Sequence, residues 1–215
     1  MAKISIKKIL LIVIGVIVVI LIIAGIAGGG SKDADSTVSS QETTTKTNTQ
    51  TANTNSFIKP GMYKVGSEVK AGEYVIEATN NNGYFQVSSD SSGEFDSIIV
   101  NDNLNKGEFR YIIIKDDDYI KLQNCRMYLS ADKIIQPKNL DKIPPSTYKI
   151  GKDIPPGEYK LKAITQYAAY WERSNNPRDS ISGIIANDNI DDSAYVTVLN
   201  GEYFKIVGIE AALVK

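Results

Sequence analysis

The chain has 215 residues, with 24 basic and 25 acidic side chains, one cysteine and no histidine. Its length accommodates one domain of ordinary size or two small ones. The nearly balanced charge, with no cluster of Lys and Arg, argues against nucleic-acid binding. Without histidine the chain lacks the commonest zinc ligand and the commonest general base, and one cysteine cannot form an intramolecular disulfide.

An apolar segment near the N-terminus predicts a membrane anchor. From Ile9 to Ala27 no side chain is polar. As a helix this run covers roughly 28 Å, close to the ~30 Å hydrocarbon core of a bilayer. The only charges before it are three lysines. Because positive charge stays in the cytoplasm, we expect a cytoplasmic tail over 1–8, a transmembrane helix over 9–28 and a single-pass protein of the cell membrane with its C-terminal part outside.

The alternative is a cleavable signal peptide that leaves a secreted protein. Gly25-Ile26-Ala27 resembles a small-residue cleavage site, which would place the cut near Ala27. Signal-peptide cores usually have about 7–15 apolar residues, and this longer run favours the uncleaved anchor.

A polar segment follows and predicts a disordered stalk over 29–57. Half of residues 31–56 are Ser or Thr, and Val38 is the only large apolar residue among them. Such a composition cannot bury enough apolar surface to offset the entropy lost on ordering.

The rest of the chain is a tandem duplication. Residues 63–74, YKVGSEVKAGEY, return at 148–159 as YKIGKDIPPGEY, and residues 98–104, IIVNDNL, return at 184–190 as IIANDNI. The offsets between aligned blocks stay between 84 and 86 residues, and collinear repetition of this kind indicates two copies of one structural unit.

The sequence pattern of each copy predicts β structure. Short runs of Val, Ile, Tyr and Phe alternate with Gly, Asn, Asp and Pro, and no run keeps a helical period. We expect a mainly β protein with two small antiparallel β-sandwich or barrel domains, repeat 1 over 58–130 and repeat 2 over 147–215, joined by a linker over 131–146. Six or seven strands fit in each repeat.

The repeated phrases resemble repeats in cell-surface proteins and lipoproteins of Gram-positive bacteria. The resemblance covers residues 62–129 and 147–213. It implies a location in the cell envelope and a β fold, and it supplies neither a ligand nor a reaction.

The Asn-Asp-Asn triplets of the two repeats are the candidates for a metal site. Oxygen-rich loops bind calcium, but calcium takes six to eight oxygen ligands and each triplet has a single charge. Asn and Asp also bond to their own backbone in turns. We therefore expect turns here and no metal or other cofactor, with calcium as the alternative at Asn101, Asp102, Asn103, Asn187, Asp188 and Asn189.

An aromatic stretch in repeat 2 is the candidate ligand surface. Aromatic rings beside arginine stack on sugar rings. The candidates are Tyr167, Tyr170, Trp171 and Arg173. Trp171 aligns with Phe85, which favours a core position for both, whereas Tyr167 falls between aligned blocks and should be exposed.

Three other features have structural interpretations. Asp116-Asp117-Asp118 aligns with Asn200-Gly201-Glu202, a strong hairpin signal, so we predict a turn in both repeats. Cys125 aligns with Ile209, which predicts a buried thiol. Glu73 and Glu158 occupy equivalent positions of the two repeats, so duplication explains them better than a pair of catalytic carboxylates.

These patterns together predict a non-catalytic extracellular protein, anchored in the membrane through residues 9–28, that binds or organises a cell-envelope component. The partner would be a cell-wall polymer or an envelope protein, and no small-molecule substrate is indicated. The alternative is an accessory or sensory ectodomain that works within a membrane protein complex.

Overall fold

A computed structural model describes residues 57–178 and 181–215. The predicted cytoplasmic tail and transmembrane helix, and the predicted stalk up to residue 56, lie outside the described residues. Among the residues that are described, no helix is long and apolar enough to cross a bilayer.

The described chain is built from strands, with three short 3-10 helices at Phe95–Ser97, Ser130–Asp132 and Ile181–Gly183. Repeat 1 contains seven strands: β1 Gly61–Lys64, β2 Gly72–Ala78, β3 Gly83–Ser88, β4 Ile98–Leu104, β5 Phe109–Ile114, β6 Tyr119–Gln123 and β7 Cys125–Leu129. Repeat 2 contains their seven equivalents: β8 Ser146–Lys149, β9 Gly157–Ala163, β10 Tyr170–Ser174, β11 Ile184–Asn189, β12 Ser193–Val198, β13 Tyr203–Val207 and β14 Ile209–Leu213.

Each repeat is a sandwich of a four-stranded and a three-stranded sheet. The sheet orders are β1-β6-β3-β4 with β5-β2-β7 in repeat 1, and β8-β13-β10-β11 with β12-β9-β14 in repeat 2. Every pair of neighbouring strands is antiparallel. The predicted mainly β, antiparallel class is confirmed, and the two copies share one topology, including a register shift at the same place in β3 and β10.

The core of each sandwich forms where the inward faces of its two sheets meet. In repeat 1, Ile76 and Met127 of the smaller sheet cluster with Phe85 and Ile120 of the larger one. In β13 the alternation predicts Phe204 and Ile206 on the inner face, and both are fully buried. Burial of these β-branched and aromatic side chains is the main stabilising term for such small domains.

The repeated twelve-residue phrase encodes a tight turn between the first two strands of each repeat. Gly66 lies at φ +96° and its N–H donates to the carbonyl oxygen of Val69 over 2.7 Å. Gly151 lies at φ +88° and repeats the bond to Ile154 over 2.8 Å. Since residues other than glycine rarely adopt this backbone conformation, the turn itself explains the glycine, and a ligand site is not needed to explain it.

The linker packs against both repeats. Ile135 and Ile143 are buried in the core cluster of repeat 2. The ammonium of Lys133 lies 3.2 Å from a carboxylate oxygen of Glu77 in repeat 1. The same hydrophobic cluster also includes Val75 and Tyr111 of repeat 1, so apolar side chains of both repeats meet in one core.

The turns predicted for the Asn-Asp-Asn triplets are wrong, because both triplets lie in strands. Asn101–Asn103 belongs to β4 and Asn187–Asn189 to β11, each at the edge of a four-stranded sheet. Asn and Asp are depleted in strands generally but are tolerated at edges, where one side faces solvent. The amide of each leading Asn donates to a tyrosine on the neighbouring strand, Tyr84 over 3.3 Å and Tyr170 over 3.1 Å.

Candidate functional site

The interface between the repeats gathers most of the buried charged groups. Strand β5 of repeat 1 packs against β8 of repeat 2. The clearest contact is at Glu73, the second residue of β2. The ammonium of Lys149 donates to both carboxylate oxygens of Glu73 over 3.0 Å, and the hydroxyls of Tyr203 and Ser130 donate to them as well. One carboxylate of repeat 1 therefore joins two strands of repeat 2.

These contacts fix the protonation state of the cluster. Burial raises the pKa of Glu73, but hydrogen bonds from Ser130, Tyr203 and Lys149 outweigh it and hold the pKa below its ordinary value. Burial, together with the Glu73 carboxylate, raises the pKa of Tyr203 to about 12. A carboxylate held ionised by three donors is a poor general base, so this arrangement favours an architectural role.

A tyrosine–aspartate contact continues the interface. The hydroxyl of Tyr111 donates to Asp153 over 2.8 Å, and the ring of Tyr111 lies 5.5 Å from that of Tyr203. Asp153 also accepts from the backbone N–H groups of Lys149 and Ile135 over 2.8 and 2.9 Å. Its oxygens are thus occupied by the turn, the linker and the other repeat together.

A second cluster centres on Asp102. Its carboxylate accepts from Nε of Arg110 over 2.7 Å and lies 3.4 Å from the ammonium of Lys205 in repeat 2. Burial raises the pKa of Asp102, but the charges of Lys205 and Arg110 outweigh it and keep the carboxyl ionised. Arg110 is only 3% exposed, and the Asp102 and Lys205 side chains are each 18% exposed, so three charges meet in a mostly buried contact between the repeats.

The turns predicted at Asp116–Asp118 and Asn200–Glu202 are confirmed, but neither is a hairpin, because each joins strands of different sheets. Both turns end in a buried carboxylate that binds an arginine. Arg178 of repeat 2 donates to Asp118 of repeat 1 over 2.6 and 2.9 Å. Within repeat 2, Arg173 donates to Glu202 over 2.9 and 2.6 Å. Burial raises the pKa of each carboxyl, and the arginine outweighs it, so both pKa values lie below the ordinary range.

A small cavity lies between the repeats. Its volume is about 10 Å³, and it is lined by Phe85, Arg110, Tyr111, Thr147, Glu172, Ser174, Pro177 and Lys205. A space of this size holds about one water molecule. The buried charges at the interface therefore do not line a pocket for an organic substrate.

The oxygens of the metal candidates do not converge. Asn101 and Asn103 lie on one face of β4 and Asp102 on the other, because side chains alternate along a strand. The equivalent Asp188 is exposed and accepts the N–H of Asn189 over 3.0 Å. Within residues 57–178 and 181–215, no three acidic or cysteine side chains group so as to hold a metal ion.

The ligand candidates are dispersed over repeat 2. Tyr167 is 81% exposed in the loop between β9 and β10. Tyr170 donates to Glu172 over 2.7 Å, and Arg173 is bound to Glu202. Trp171 packs against the core, with its indole N–H buried and without a hydrogen-bond acceptor among the residues that the structure describes. Only Tyr167 is free to stack on an outside ligand.

Cys125 is fully buried, as its alignment with Ile209 predicts. Burial raises the pKa of its thiol to about 11. The thiol is therefore unreactive in the folded protein.

The sequence interpretation does not identify the residues that join the repeats, although a signal for them exists. At aligned positions, the two residues differ in polarity where one is covered by the other repeat and its counterpart is not. Val75 is fully buried and aligns with the exposed Lys160, and Arg110 aligns with Ala194. Such differences within a duplicated chain mark the covered surface.

Comparison with known proteins gives one match. Residues 141–207 match the model of a family described as the Rv1352-like extracellular domain. The match covers repeat 2 from the end of the linker to β13, and it indicates an extracellular location. No curated protein and no solved structure matches the chain.

Acidification is expected to destabilise the fold below about pH 4. The pKa values of Glu73, Asp102, Asp118 and Glu202 all lie below their ordinary values of 4.5 for Glu and 3.8 for Asp. A group whose pKa is lowered on folding contributes stability above its unfolded pKa and loses that contribution as pH falls through the folded value.

The chain contains no histidine, so the free energy of unfolding should be flat between about pH 5 and 8. Urea unfolding measured across this range and down to about pH 2.5 checks both statements. A steep slope near neutral pH would contradict them.

Proposed function

We propose that this protein is an extracellular, non-catalytic binding module that is anchored in the membrane through residues 9–28 and contacts a cell-envelope component with its outer surface. The observation that carries the proposal is where these charges lie. The carboxylates of Glu73, Asp102 and Asp118 all contact cationic side chains of the other repeat. With a cavity of only about 10 Å³ at this interface, a ligand would bind outside it.

The similarity of residues 141–207 to an extracellular domain supports the location. The packing of the two repeats supports the mode of action, since a module that is already rigid loses little conformational entropy when it binds an extended polymer. On its surface, Tyr167 is the residue best placed to stack on a sugar ring.

Co-sedimentation with purified cell-wall sacculi tests the proposal. We expect residues 57–215 to pellet with sacculi, and Tyr167→Ala to weaken binding about tenfold, which corresponds to about 1.4 kcal/mol. Phe95→Ala is the matched control, because Phe95 is also an exposed aromatic residue but lies in repeat 1. A chelator added in parallel tests the calcium alternative at the Asn-Asp-Asn triplets.

Failure of the wild-type protein to pellet would overturn a wall-binding role and leave a protein partner in the membrane, which is the role of an accessory ectodomain. Equal loss with both alanine variants would remove Tyr167 from the binding surface. Loss of wild-type binding only when the chelator is present would show that a bound cation mediates the binding.

A further inference from the structure

The contact between the repeats joins two different surfaces. Repeat 1 contributes the β5 face, which we define by Glu73, Tyr111 and Asp102. Repeat 2 contributes the β8 face, defined by Lys149, Asp153, Tyr203 and Lys205. Because the chain is duplicated, repeat 2 must carry an equivalent of the β5 face, and repeat 1 an equivalent of the β8 face.

The equivalent of the β5 face lies open on repeat 2. This β12 face consists of Glu158, Tyr195 and Asp188, the same three residue types in the same strand positions. Tyr195 is 60% exposed whereas Tyr111 is 3% exposed, and Glu158 and Asp188 are exposed too. The groups that bind repeat 2 on one copy of the fold are presented to solvent on the other.

The equivalent of the β8 face lies on repeat 1 and consists of Lys64, Glu68, Tyr119 and Lys121. We name it the β1 face. Its local geometry matches the β8 face: Glu68 accepts the N–H of Lys64 over 2.7 Å, as Asp153 accepts that of Lys149 over 2.8 Å. The Lys64 ammonium lies 5.8 Å from the ring of Tyr119, and that of Lys149 lies 5.1 Å from Tyr203.

The charged partners on the β1 face are only weakly engaged. Lys64 lies 3.9 Å from Asp117, with 44% and 91% of the two side chains exposed. Exposed pairs at this distance contribute little, so Lys64 can exchange this partner for a carboxylate on another molecule.

We propose that the β12 face binds the β1 face of a second copy of this chain, in the arrangement that already joins the two repeats. Glu158 then accepts from Lys64 and Tyr119 of the other copy, as Glu73 accepts from Lys149 and Tyr203. Five contacts of the internal interface are available again between copies. The remaining three pair Tyr195 with Glu68, Tyr195 with the ring of Tyr119, and Asp188 with Lys121.

The contact between copies is weaker than the internal one. Apolar members of the β5 face are replaced on the β12 face by polar residues, Val75 by Lys160 and Phe109 by Ser193. Arg110 is replaced by Ala194. Less apolar area is buried, so charge pairs supply most of the attraction, and such attraction is screened by salt.

This association is heterologous, because each copy contributes a different face. A head-to-tail contact leaves one unused face at each end, and growth continues unless the rotation closes a ring. The assembled species are therefore a series of increasing length and not a dimer alone.

Charge reversal on the full-length chain, kept in solution by a mild detergent, tests the proposal. We expect the sedimentation coefficient of the wild type to rise with concentration up to about 1 mM, the range of weak interfaces, and the rise to disappear in high salt. Glu158→Lys and Lys64→Glu should each abolish it. An equimolar mixture of the two variants should restore it, since every contact in an alternating assembly again pairs opposite charges.

Lys138→Glu, a charge reversal in the linker outside both faces, is the matched control and should sediment like the wild type. Circular dichroism establishes that each variant is folded, and Tyr195→Phe provides a second disruption that leaves charge unchanged. A wild type that stays monomeric overturns the proposal, as does association that survives both reversals, because it then arises elsewhere in the chain.

Discussion

Replacing Arg110 by alanine is expected to lower the free energy of unfolding by about 3–5 kcal/mol, the range for breaking a buried ion pair. The guanidinium binds Asp102 over 2.7 Å and the carbonyl oxygen of Phe109 over 2.9 Å. Without it, the Asp102 carboxylate loses its closest cation and keeps only the ammonium of Lys205 and the N–H of Asn103 as contacts, and the side-chain volume at the repeat interface is lost. Urea denaturation followed by circular dichroism measures the change.

Arg126→Ala is the matched control, because Arg126 is an exposed arginine of the same repeat. Its loss should change the free energy of unfolding by no more than about 1 kcal/mol. Arg110→Met keeps much of the volume and separates the charge contribution from packing. Equal effects of Arg110→Ala and Arg126→Ala would show that the Asp102 cluster contributes nothing particular to stability.

Replacing Glu73 by glutamine is expected to destabilise the protein by about 2–3 kcal/mol, because Lys149 loses its counter-ion in a partly desolvated site. The substitution keeps the shape of the side chain, so the effect isolates the charge. The duplication supplies the control: Glu158→Gln changes the equivalent, exposed position and should stay within about 0.5 kcal/mol.

The decisive quantity in the urea experiment is the difference in the free energy of unfolding between Glu73→Gln and Glu158→Gln. Similar destabilisation at both positions would mean that the carboxylate acts within each repeat, through the turn that precedes it. A large effect at Glu73 alone locates the contribution at the contact with repeat 2.

Much of the fold follows from the sequence because the duplication tests each assignment twice. The offsets of 84 to 86 residues align every strand of repeat 1 with one of repeat 2, and the alternation in β13 places Phe204 and Ile206 correctly. The Asn-Asp-Asn triplets were assigned wrongly because propensity favours turns, whereas the edge positions of β4 and β11 accept polar residues.

The interface could not be predicted in the same way, since identical residues have opposite environments. Tyr111 is buried and Tyr195 is exposed, although the two tyrosines occupy the same position of equivalent strands. Which copy is covered depends on how two folded units meet, and periodicity within one unit carries no information about that. Only the polarity differences, Val75 against Lys160 foremost, record it.

The shared core has a practical consequence for observing this molecule. The chain has one cysteine and one tryptophan, and they fall in different repeats, Cys125 in the first and Trp171 in the second. Thiol labelling thus reports the opening of one sandwich and indole fluorescence the other, without any added dye or tag. Because Val75 and Tyr111 belong to the hydrophobic cluster of the second repeat, both natural reporters should register a single concerted transition at the same urea concentration.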